Sequence, residues 1–464
     1  MRIAGYRQCV RCCIDTTVPG AAFDGTGVCS FCHLHDRLEQ DFPIGSQGQQ
    51  ILEMIATRIR RAGHGKRYDC VVGISGGRDS SYTLHMIVRE LGLRPLAVHF
   101  NDGFGNPIAG ENMRKITAQL GVDLRTISSD WRESKDLRIA ALKASTPDLE
   151  LATDIGIASS LYGAAVQENV RYVVIGQSFR TEGIAPLEWN YLDGRYLKAI
   201  SKQFGQVPIR PWKPDNPGFN LSLRELIYYT AVRRIRTVLP LYYRNYVRRD
   251  ADQLLASEYG WVNPGAHYLD DLYQALINYV LRIKFNIDRR KFNYAALVRS
   301  GQMTRSEALE LIAKPYNRGE DPQLVKLCVK RLGLKWEEFD GLLKLPQKNF
   351  RDYSTNFGLL RALRPAIWLL ANLGFVPQSS YLKYCTGYCA GRSIRARWHL
   401  GHWTRSSKMG HIAVPDHPVP GPARLGDAAN HSQVAEPLGD GTCPATLPVG
   451  VPPPWVPMAS DLAR

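Results

Sequence analysis

Between residues 68 and 177 the chain alternates short strand-like runs with longer segments in which apolar residues recur at helical spacing. The strand-like runs are "YDCVVGIS", "RPLAVHFN", "VDLRTIS" and "VRYVVIG". The segments with helical spacing include "SSYTLHMIVRELG" and "ENMRKITAQLG". Strands that alternate with helices in this way predict an α/β fold with a doubly wound parallel sheet.

Composition divides the chain into further segments around this region. We predict a Cys-rich module at 1–45, then, after the linker "PIGSQGQQ", the α/β domain at 50–215. A helical domain with no obvious strand follows at 216–352, for substrate or partner binding, and a helical extension at 353–404. Residues 405–464 are rich in Pro, Gly and Ala and are expected to be disordered. The longest apolar run, "AIWLLANLGFV", is about half of the roughly 20 residues that a membrane-spanning helix needs.

The charge and the cysteines restrict the class of protein. The 464 residues include 59 Lys and Arg against 43 Asp and Glu, a formal net charge of +16. This charge indicates an acidic partner such as a nucleotide, a nucleic acid, an anionic lipid surface or a sugar nucleotide. The N-terminus lacks an apolar run of signal-peptide length, so we expect a cytoplasmic protein. Its ten cysteines then favour metal or redox positions over a disulfide framework.

Four cysteines near the N-terminus have the spacing of a metal site. Cys9 and Cys12 form one C-x2-C pair, and Cys29 and Cys32 form a second. Four thiolates at this spacing predict a structural, tetrahedral Zn²⁺ site, with an iron–sulfur cluster as the alternative. Cys13 lies beside the second ligand and could compete with it. By contrast, a later C-x3-C pair, Cys385 and Cys389, favours ordinary packing over metal or redox chemistry.

A glycine turn joins the first predicted strand to the next helix. The strand is predicted to end at Ser75, two glycines follow at Gly76 and Gly77, and the helix begins near Asp79 and Ser80. Backbone N–H groups at a helix N-terminus bind phosphate, and glycine lets the backbone approach the anion closely. The spacing is neither G-x-x-x-x-G-K-[ST] nor G-x-G-x-x-G. It therefore predicts a phosphate-binding loop of another kind.

Polar residues follow two later strands, where ligands collect in open parallel sheets. After the second strand, the candidates for nucleotide or Mg²⁺ contacts are Asn101, Asp102 and Gly103. After the last strand of this region, the candidates are Gly176, Arg180, Thr181 and Glu182. In the alternative interpretation, Asp102 and Gly103 only form a turn, and Arg180 pairs with Glu182.

The glycine turn resembles a known signature. Ser75, Gly76, Gly77, Asp79 and Ser80 match the S-G-G-x-D-S motif of the PP-loop ATP pyrophosphatases, which have an adenine nucleotide alpha hydrolase-like fold. The resemblance implies that the loop binds ATP with Mg²⁺ and holds the departing pyrophosphate while a substrate oxygen is adenylylated. Asp79 and Arg180 are the catalytic candidates that this chemistry suggests.

Longer segments resemble one branch, the N-acetyl sugar amidotransferase family of surface-polysaccharide biosynthesis. They are the Cys-rich N-terminus, "RTEGIAPLEWNYLDGRYLKAI", "LRELIYYTAVRRI" and "KFNIDRRKFNYAALVRSGQMTRSEALE", and the likeness spans residues 6–352. It implies conversion of an N-acetyl group on a nucleotide-linked sugar into an acetamidino group. Where the family reads Y-G-G-K-H-Y-E-S this chain has "NPGAHYLD", which keeps His267 but loses the Lys and the Glu. Glu182 and then His267 are the candidates for proton handling.

The resemblance also implies partners. No cysteine nucleophile of a glutaminase is evident, so ammonia is expected from a separate glutaminase subunit resembling that of histidine biosynthesis, working with a cyclase-like barrel subunit. One alternative keeps the ATP chemistry and uses sulfur, thiolating a tRNA or a small molecule. Another is a nucleic-acid-binding protein that no longer turns over ATP, which the intact signature argues against.

The basic segment 228–249 leaves two interpretations open. It interleaves six arginines with five tyrosines. Arginines suit phosphates and tyrosine rings suit bases or sugars, so the segment could bind nucleic acid or a nucleotide sugar. Alternatively, a pair of helices packs its tyrosines inward and leaves its arginines in solvent.

Overall fold

The computed structural model describes residues 5–265, 271–315, 321–372, 381, 384 and 385. The candidate His267, the cysteine Cys389 and the predicted tail at 405–464 lie outside the described residues. Of the helices within these ranges, none is both long and apolar enough to span a bilayer.

The centre of the molecule is a parallel sheet of five strands in the order β3-β2-β1-β4-β5. The strands are β1 (Cys70–Gly73), β2 (Pro95–Asn101), β3 (Leu124–Ser128), β4 (Tyr172–Val174) and β5 (Arg236–Val238). Val71 pairs with Leu96 on one side and Val173 on the other, which places β1 at the centre. The predicted doubly wound α/β fold is confirmed.

Helices connect and cover these strands. They are α1 (Ser30–Asp41), α2 (Gly45–Gly63), α3 (Arg78–His85), α4 (Pro107–Leu120), α5 (Trp131–Ala144), α6 (Leu151–Gln167), α7 (Gly194–Phe204), α8 (Leu223–Ile227), α9 (Arg248–Tyr259), α10 (Tyr273–Phe285), α11 (Arg290–Arg299), α12 (Arg305–Ala313), α13 (Pro322–Arg331), α14 (Trp336–Leu343), α15 (Phe357–Ala362) and α16 (Arg364–Asn372). Helix α4 shows why these bounds hold, because Asn106 caps its first turn and Gly121, at φ 65°, ends it.

The sheet buries both of its faces, as side chains that alternate along a strand require. Val71 and Val173 pack on one side with α5, α6 and α7. Cys70, Val72 and Val174 pack on the other side with α2, α3 and α9. Cys70 has no exposed surface, and burial raises the pKa of its thiol, so it is a core residue.

Strand β5 corrects the expectation that the region after residue 216 has no strand. It lies inside the basic segment 228–249 and pairs with β4 through Tyr172 and Arg236. Three residues at the edge of a sheet are too short to show a period of two, which explains why the pattern missed it. The segment's Tyr229, Tyr242 and Tyr246 are buried, as the inward-packing interpretation proposed.

The N-terminal module shares a core with the helical region. Buried residues of the module, among them Ile14 and Phe31, belong to the same apolar cluster as Leu276 and Val280 of α10 and Phe339 of α14. The module from Cys9 to Cys32 is therefore packed onto the domain that follows the sheet in sequence.

Candidate active site and four-cysteine cluster

The glycine turn after β1 has the geometry of an anion-binding loop. Strand β1 ends at Gly73, two residues before the predicted Ser75, and α3 begins at Arg78. Gly76 has φ 78°, and a Cβ added to it would lie 2.0 Å from the carbonyl oxygen of Ala109. The hydroxyls of Ser75 and Ser80 lie 3.1 Å apart, and the Gly77 N–H donates to Ser75 Oγ at 3.3 Å. The conformation of the loop thus depends on glycine at position 76 and on the hydroxyls of Ser75 and Ser80.

Two residues that the sequence did not indicate form hydrogen bonds with the backbone of this loop. The carbonyl oxygen of Gly76 accepts from Trp261 Nε1 at 3.0 Å and from Asn112 Nδ2 at 3.1 Å. Asn112 also bonds both the N–H and the carbonyl of Val262. These side chains come from α4 and from the segment after α9, so no local pattern could have identified them.

Asp79 lies in the first turn of α3 and is 6% exposed. One carboxylate oxygen accepts from the hydroxyl of Tyr246 at 2.5 Å, and the other accepts from Thr181 Oγ1 at 3.4 Å. Burial, together with this carboxylate, raises the pKa of Tyr246 well above its usual value, so the phenol stays a donor. A carboxylate at a helix N-terminus beside a phosphate loop is suitably placed to bind a cation that accompanies phosphate.

The loop opens into a cavity of about 640 Å³. The predicted residues that line it are Ser75, Gly77, Asp79, Ser80, Gly176 and Glu182. The end of β4 approaches α3 closely, because a Cβ on Gly176 would lie 2.7 Å from the carbonyl oxygen of Asp79. The structure therefore brings together most of the candidates from the glycine turn and from the last strand.

The other candidates among the described residues do not line this cavity. Arg180 is 3% exposed and donates to the carbonyl oxygens of Tyr242 at 2.8 Å and Phe42 at 2.9 Å. Its acidic neighbour is Glu39, at 3.4 Å, rather than Glu182. Asn101 accepts from the N–H of Gly103 at 3.0 Å, in the turn that follows β2, and neither residue lines the cavity.

Asp102 belongs to a buried charged cluster. It forms an ion pair with Arg138, which has no exposed surface, and accepts from Thr153 Oγ1 at 3.2 Å. The carboxyl group of Asp271 interacts with it electrostatically. Burial and the Asp102 carboxylate raise the pKa of Asp271 well above its usual value. The bonds of Asp102 are to the protein itself, and it does not line the cavity.

Outside the loop, the cavity wall includes polar residues that the sequence did not indicate. Arg289 Nη1 donates to Gln274 Oε1 at 2.7 Å, and Arg289 Nη2 lies 3.4 Å from Glu150 Oε2. Gln274 in turn donates to Glu150. All three line the cavity, as do Asp154, Phe292 and Asn293, and the apolar Leu34 and Leu38 of α1.

The four cysteines form a single buried cluster. The sulfurs of Cys9 and Cys32 are 3.8 Å apart, those of Cys12 and Cys29 are 3.6 Å apart, and those of Cys29 and Cys32 are 3.7 Å apart. Four sulfurs at the Zn–S distance of about 2.3 Å stand roughly 3.8 Å from one another in a tetrahedron, so the cluster fits this ion. Cys13 does not join the cluster, because its thiol donates to the carbonyl oxygen of Lys291 at 3.1 Å.

Side chains of the helical region contact this cluster and the module around it. Arg305 Nε donates to the carbonyl oxygens of Cys9 and Cys12 at 3.0 and 3.1 Å. Arg299 lies 3.8 Å from the sulfur of Cys12, and Lys291 donates to Asp15 at 2.7 Å. Lys291 and Arg299 are both on α11, so the module fixes the helix that carries part of the cavity wall.

Comparison with known proteins finds one family model and two similar solved structures. Residues 257–364 match the family model described as LPS biosynthesis protein WbpG-like, C-terminal domain. No curated protein sequence matches the chain. Two solved structures are similar, each at a TM-score of 0.24. One is a predicted subunit of tRNA methyltransferase from Methanocaldococcus jannaschii, at 16% identity over 48% of this chain and 92% of that one. The other is an NH3-dependent NAD synthetase from Campylobacter jejuni, at 15% identity over 65% of this chain and 98% of that one.

The matched segment begins just before Trp261, which holds the phosphate loop, and includes Gln274, Arg289 and Asn293 of the facing wall. The family model and the family that the sequence resembles both belong to surface-polysaccharide biosynthesis. The similarity to an LPS biosynthesis protein thus lies in residues 257–364, which match the WbpG-like C-terminal domain.

Proposed function

We propose that this protein is an ATP-dependent amidotransferase that converts the N-acetyl group of a nucleotide-linked sugar into an acetamidino group. The observation that supports this most directly is the shared cavity, which is lined both by the phosphate-binding loop and by Gln274, Arg289, Phe292 and Asn293 of the WbpG-like segment. One cavity can therefore hold a nucleotide and a second substrate side by side, which a transfer between them requires.

The proposed reaction has two steps. The amide oxygen of the acetamido group attacks the α-phosphorus of ATP, the bond to pyrophosphate breaks, and the amide proton leaves. Ammonia then adds to the activated carbon, the carbon–oxygen bond breaks, and AMP departs. An amide oxygen is a poor leaving group and AMP is a good one, so the first step makes the second possible. The sum is replacement of one oxygen by an NH group, with release of AMP and pyrophosphate.

The loop and the end of β4 have distinct roles in this scheme. The N–H groups at the start of α3, with the hydroxyls of Ser75 and Ser80, stabilise the charge that develops on pyrophosphate. Asp79 would hold Mg²⁺, which neutralises phosphate charge when bound. Glu182 lines the same cavity and is our candidate acceptor for the amide proton, with His267 as the second candidate.

Ammonia is proposed to come from a separate glutaminase subunit of the histidine-biosynthesis type, acting with a cyclase-like barrel subunit. We also assign Zn²⁺ to the cluster of Cys9, Cys12, Cys29 and Cys32, as a structural ion, because all four of its positions are taken by the protein. We place the protein in the cytoplasm and do not include nucleic acid among its partners.

The second candidate function is thiolation through the same adenylylated intermediate. No cysteine is among the described residues that line the cavity. Cys70, in the strand that leads to the loop, has no exposed surface. A protein thiol is therefore not in place to deliver sulfur from these residues, and ammonia is the favoured nucleophile.

The test is product analysis with ATP, Mg²⁺, ammonium and a panel of UDP-N-acetyl sugars. We expect AMP, pyrophosphate and a sugar whose mass corresponds to the exchange of oxygen for NH. Asp79→Asn should abolish AMP formation, whereas Asp123→Asn, at a half-exposed position outside the cavity, should not change it. AMP formation only with a sulfur donor would establish the thiolating alternative, and no AMP with either donor would refute both.

Glu182 has a test of its own. Glu182→Gln should lower kcat with ammonium by roughly 100-fold or more, the usual contribution of a positioned general base. Glu111→Gln, at an exposed position of α4, is the matched control. Full turnover by Glu182→Gln would remove this residue from the mechanism.

A further inference from the structure

The cavity wall opposite the phosphate loop contains a cation and an amide on one short stretch of chain. Arg289 immediately precedes α11, and Asn293 lies in its first turns. Both line the cavity. Neither residue is in the loop that would hold ATP.

Asn293 carries a donor that the folded chain leaves unused. The residue is 3% exposed, and among the described residues its Nδ2 has no hydrogen-bond partner. An unsatisfied buried donor costs about 1–3 kcal/mol, so such a group in a binding cavity points to an acceptor that a ligand supplies.

Arg289 is held in a fixed orientation beside it. Its Nη1 donates to Gln274 Oε1 at 2.7 Å and lies 3.5 Å from Asn278 Oδ1, so two neutral amides take up this nitrogen. Its Nη2 lies 3.4 Å from Oε2 of the acidic Glu150. A guanidinium fixed in this way loses little further entropy when it binds an anion.

We propose that Arg289 and Asn293 form the subsite that binds an anionic oxygen group of the acceptor. This inference rests on the proposed function, because it supposes a second substrate in the cavity. Both side chains offer donors, so the group they bind must be an acceptor of hydrogen bonds. Two sources fit: the diphosphate of a nucleotide-linked sugar and the carboxylate of an acidic sugar.

The experiment measures equilibrium binding by calorimetry, independently of turnover. The probes are UDP-N-acetylglucosamine, which presents a diphosphate, N-acetylneuraminate, which presents a carboxylate, and neutral N-acetylglucosamine. The variants are Arg289→Gln, Asn293→Ala and Glu150→Gln. The control is Arg282→Gln, at an exposed position of α10. Circular dichroism establishes that each variant is folded.

We expect wild-type protein to bind one anionic probe more tightly than the neutral sugar. Arg289→Gln should weaken that binding about 10- to 100-fold, as loss of a charge-assisted bond does, and Asn293→Ala about 2- to 10-fold. Glu150→Gln should tighten it, because the variant removes the carboxylate charge that lies 3.4 Å from the guanidinium. ATP binding should stay within about 2-fold in Arg289→Gln.

The outcomes separate this inference from the proposed function. Equal binding of the anionic probe by wild type and Arg289→Gln would overturn the inference, even if AMP and the amidine are formed. Failure of wild type to bind either anionic probe would overturn it as well. Loss of anion binding in Arg289→Gln by a protein that makes no AMP would support the subsite and refute the proposed reaction.

Discussion

Replacement of Gly76 by alanine tests the positive-φ conformation of the phosphate loop at this residue. The backbone of Gly76 has φ 78°, a region that costs an L-residue about 1–2 kcal/mol. The new Cβ would also lie 2.0 Å from the carbonyl oxygen of Ala109 and 2.6 Å from its carbon. These are backbone atoms of α4, which cannot turn aside as a side chain would, and overpacking of this kind costs about 1–3 kcal/mol. We therefore expect Gly76→Ala to lower the free energy of unfolding by about 2–5 kcal/mol.

The assay combines urea unfolding with the dependence of AMP formation on ATP concentration. Displacement of the loop should raise the KM for ATP at least about 10-fold, since its N–H groups no longer face the phosphates. Gly110 on α4 is the matched control, because a Cβ there meets nothing within 4 Å and its φ is not positive. Gly110→Ala should stabilise the protein by about 0.5–1 kcal/mol. If Gly76→Ala left both stability and the KM for ATP unchanged, the described loop conformation would be wrong.

Two further predictions concern the metal cluster and the buried carboxyl pair. Cys29→Ser should remove bound zinc, measured by plasma mass spectrometry, and lower the free energy of unfolding by roughly 3 kcal/mol or more, whereas Cys13→Ser should keep the metal. Retention of zinc by Cys29→Ser would refute the four-thiolate assignment. The raised pKa of Asp271 in the fold means that its contribution to stability is greatest below about pH 4, the unfolded pKa, and is lost as pH rises toward the folded pKa. Asp271→Asn stays neutral beside Asp102, so its free energy of unfolding in urea should exceed that of wild type at pH 7 and approach it near pH 4. A difference in stability that did not shrink on acidification would contradict this.

The sequence predicts well the part of the site that is local in the chain. The residues from Ser75 to Ser80 are adjacent in the sequence, and the strand, turn and helix around them fix their positions together. The alternation of strands and helices also predicts the parallel sheet, which brings Gly176 and Glu182 to the same edge as the loop. Here local pattern and tertiary structure agree.

The prediction fails where a partner comes from a distant segment. Asp102 follows a strand as a ligand residue would, but Arg138 on α5 forms an ion pair with it inside the protein. Arg180 was expected in the cavity, and the carbonyl oxygens of Tyr242 and Phe42 hold its guanidinium instead. Arg289 is the converse case, since nothing in its neighbourhood in the sequence shows that α11 reaches the cavity.

The four-cysteine cluster has a structural connection to the cavity, although the proposed chemistry does not use it. The cluster fixes the start of α1, because Cys29 caps that helix and Cys32 lies in its first turn, and Leu34 and Leu38 of the same helix line the cavity. Through Arg299 it also holds α11, which presents Asn293 to the same space. The part of the cavity wall outside the phosphate loop is thus formed by segments that are far apart in the sequence. The position of α1 and α11 depends on the cluster and not on the sheet alone. A structural ion at this point would set the geometry of the wall that faces the phosphate loop, and so the distance across which the two substrates meet.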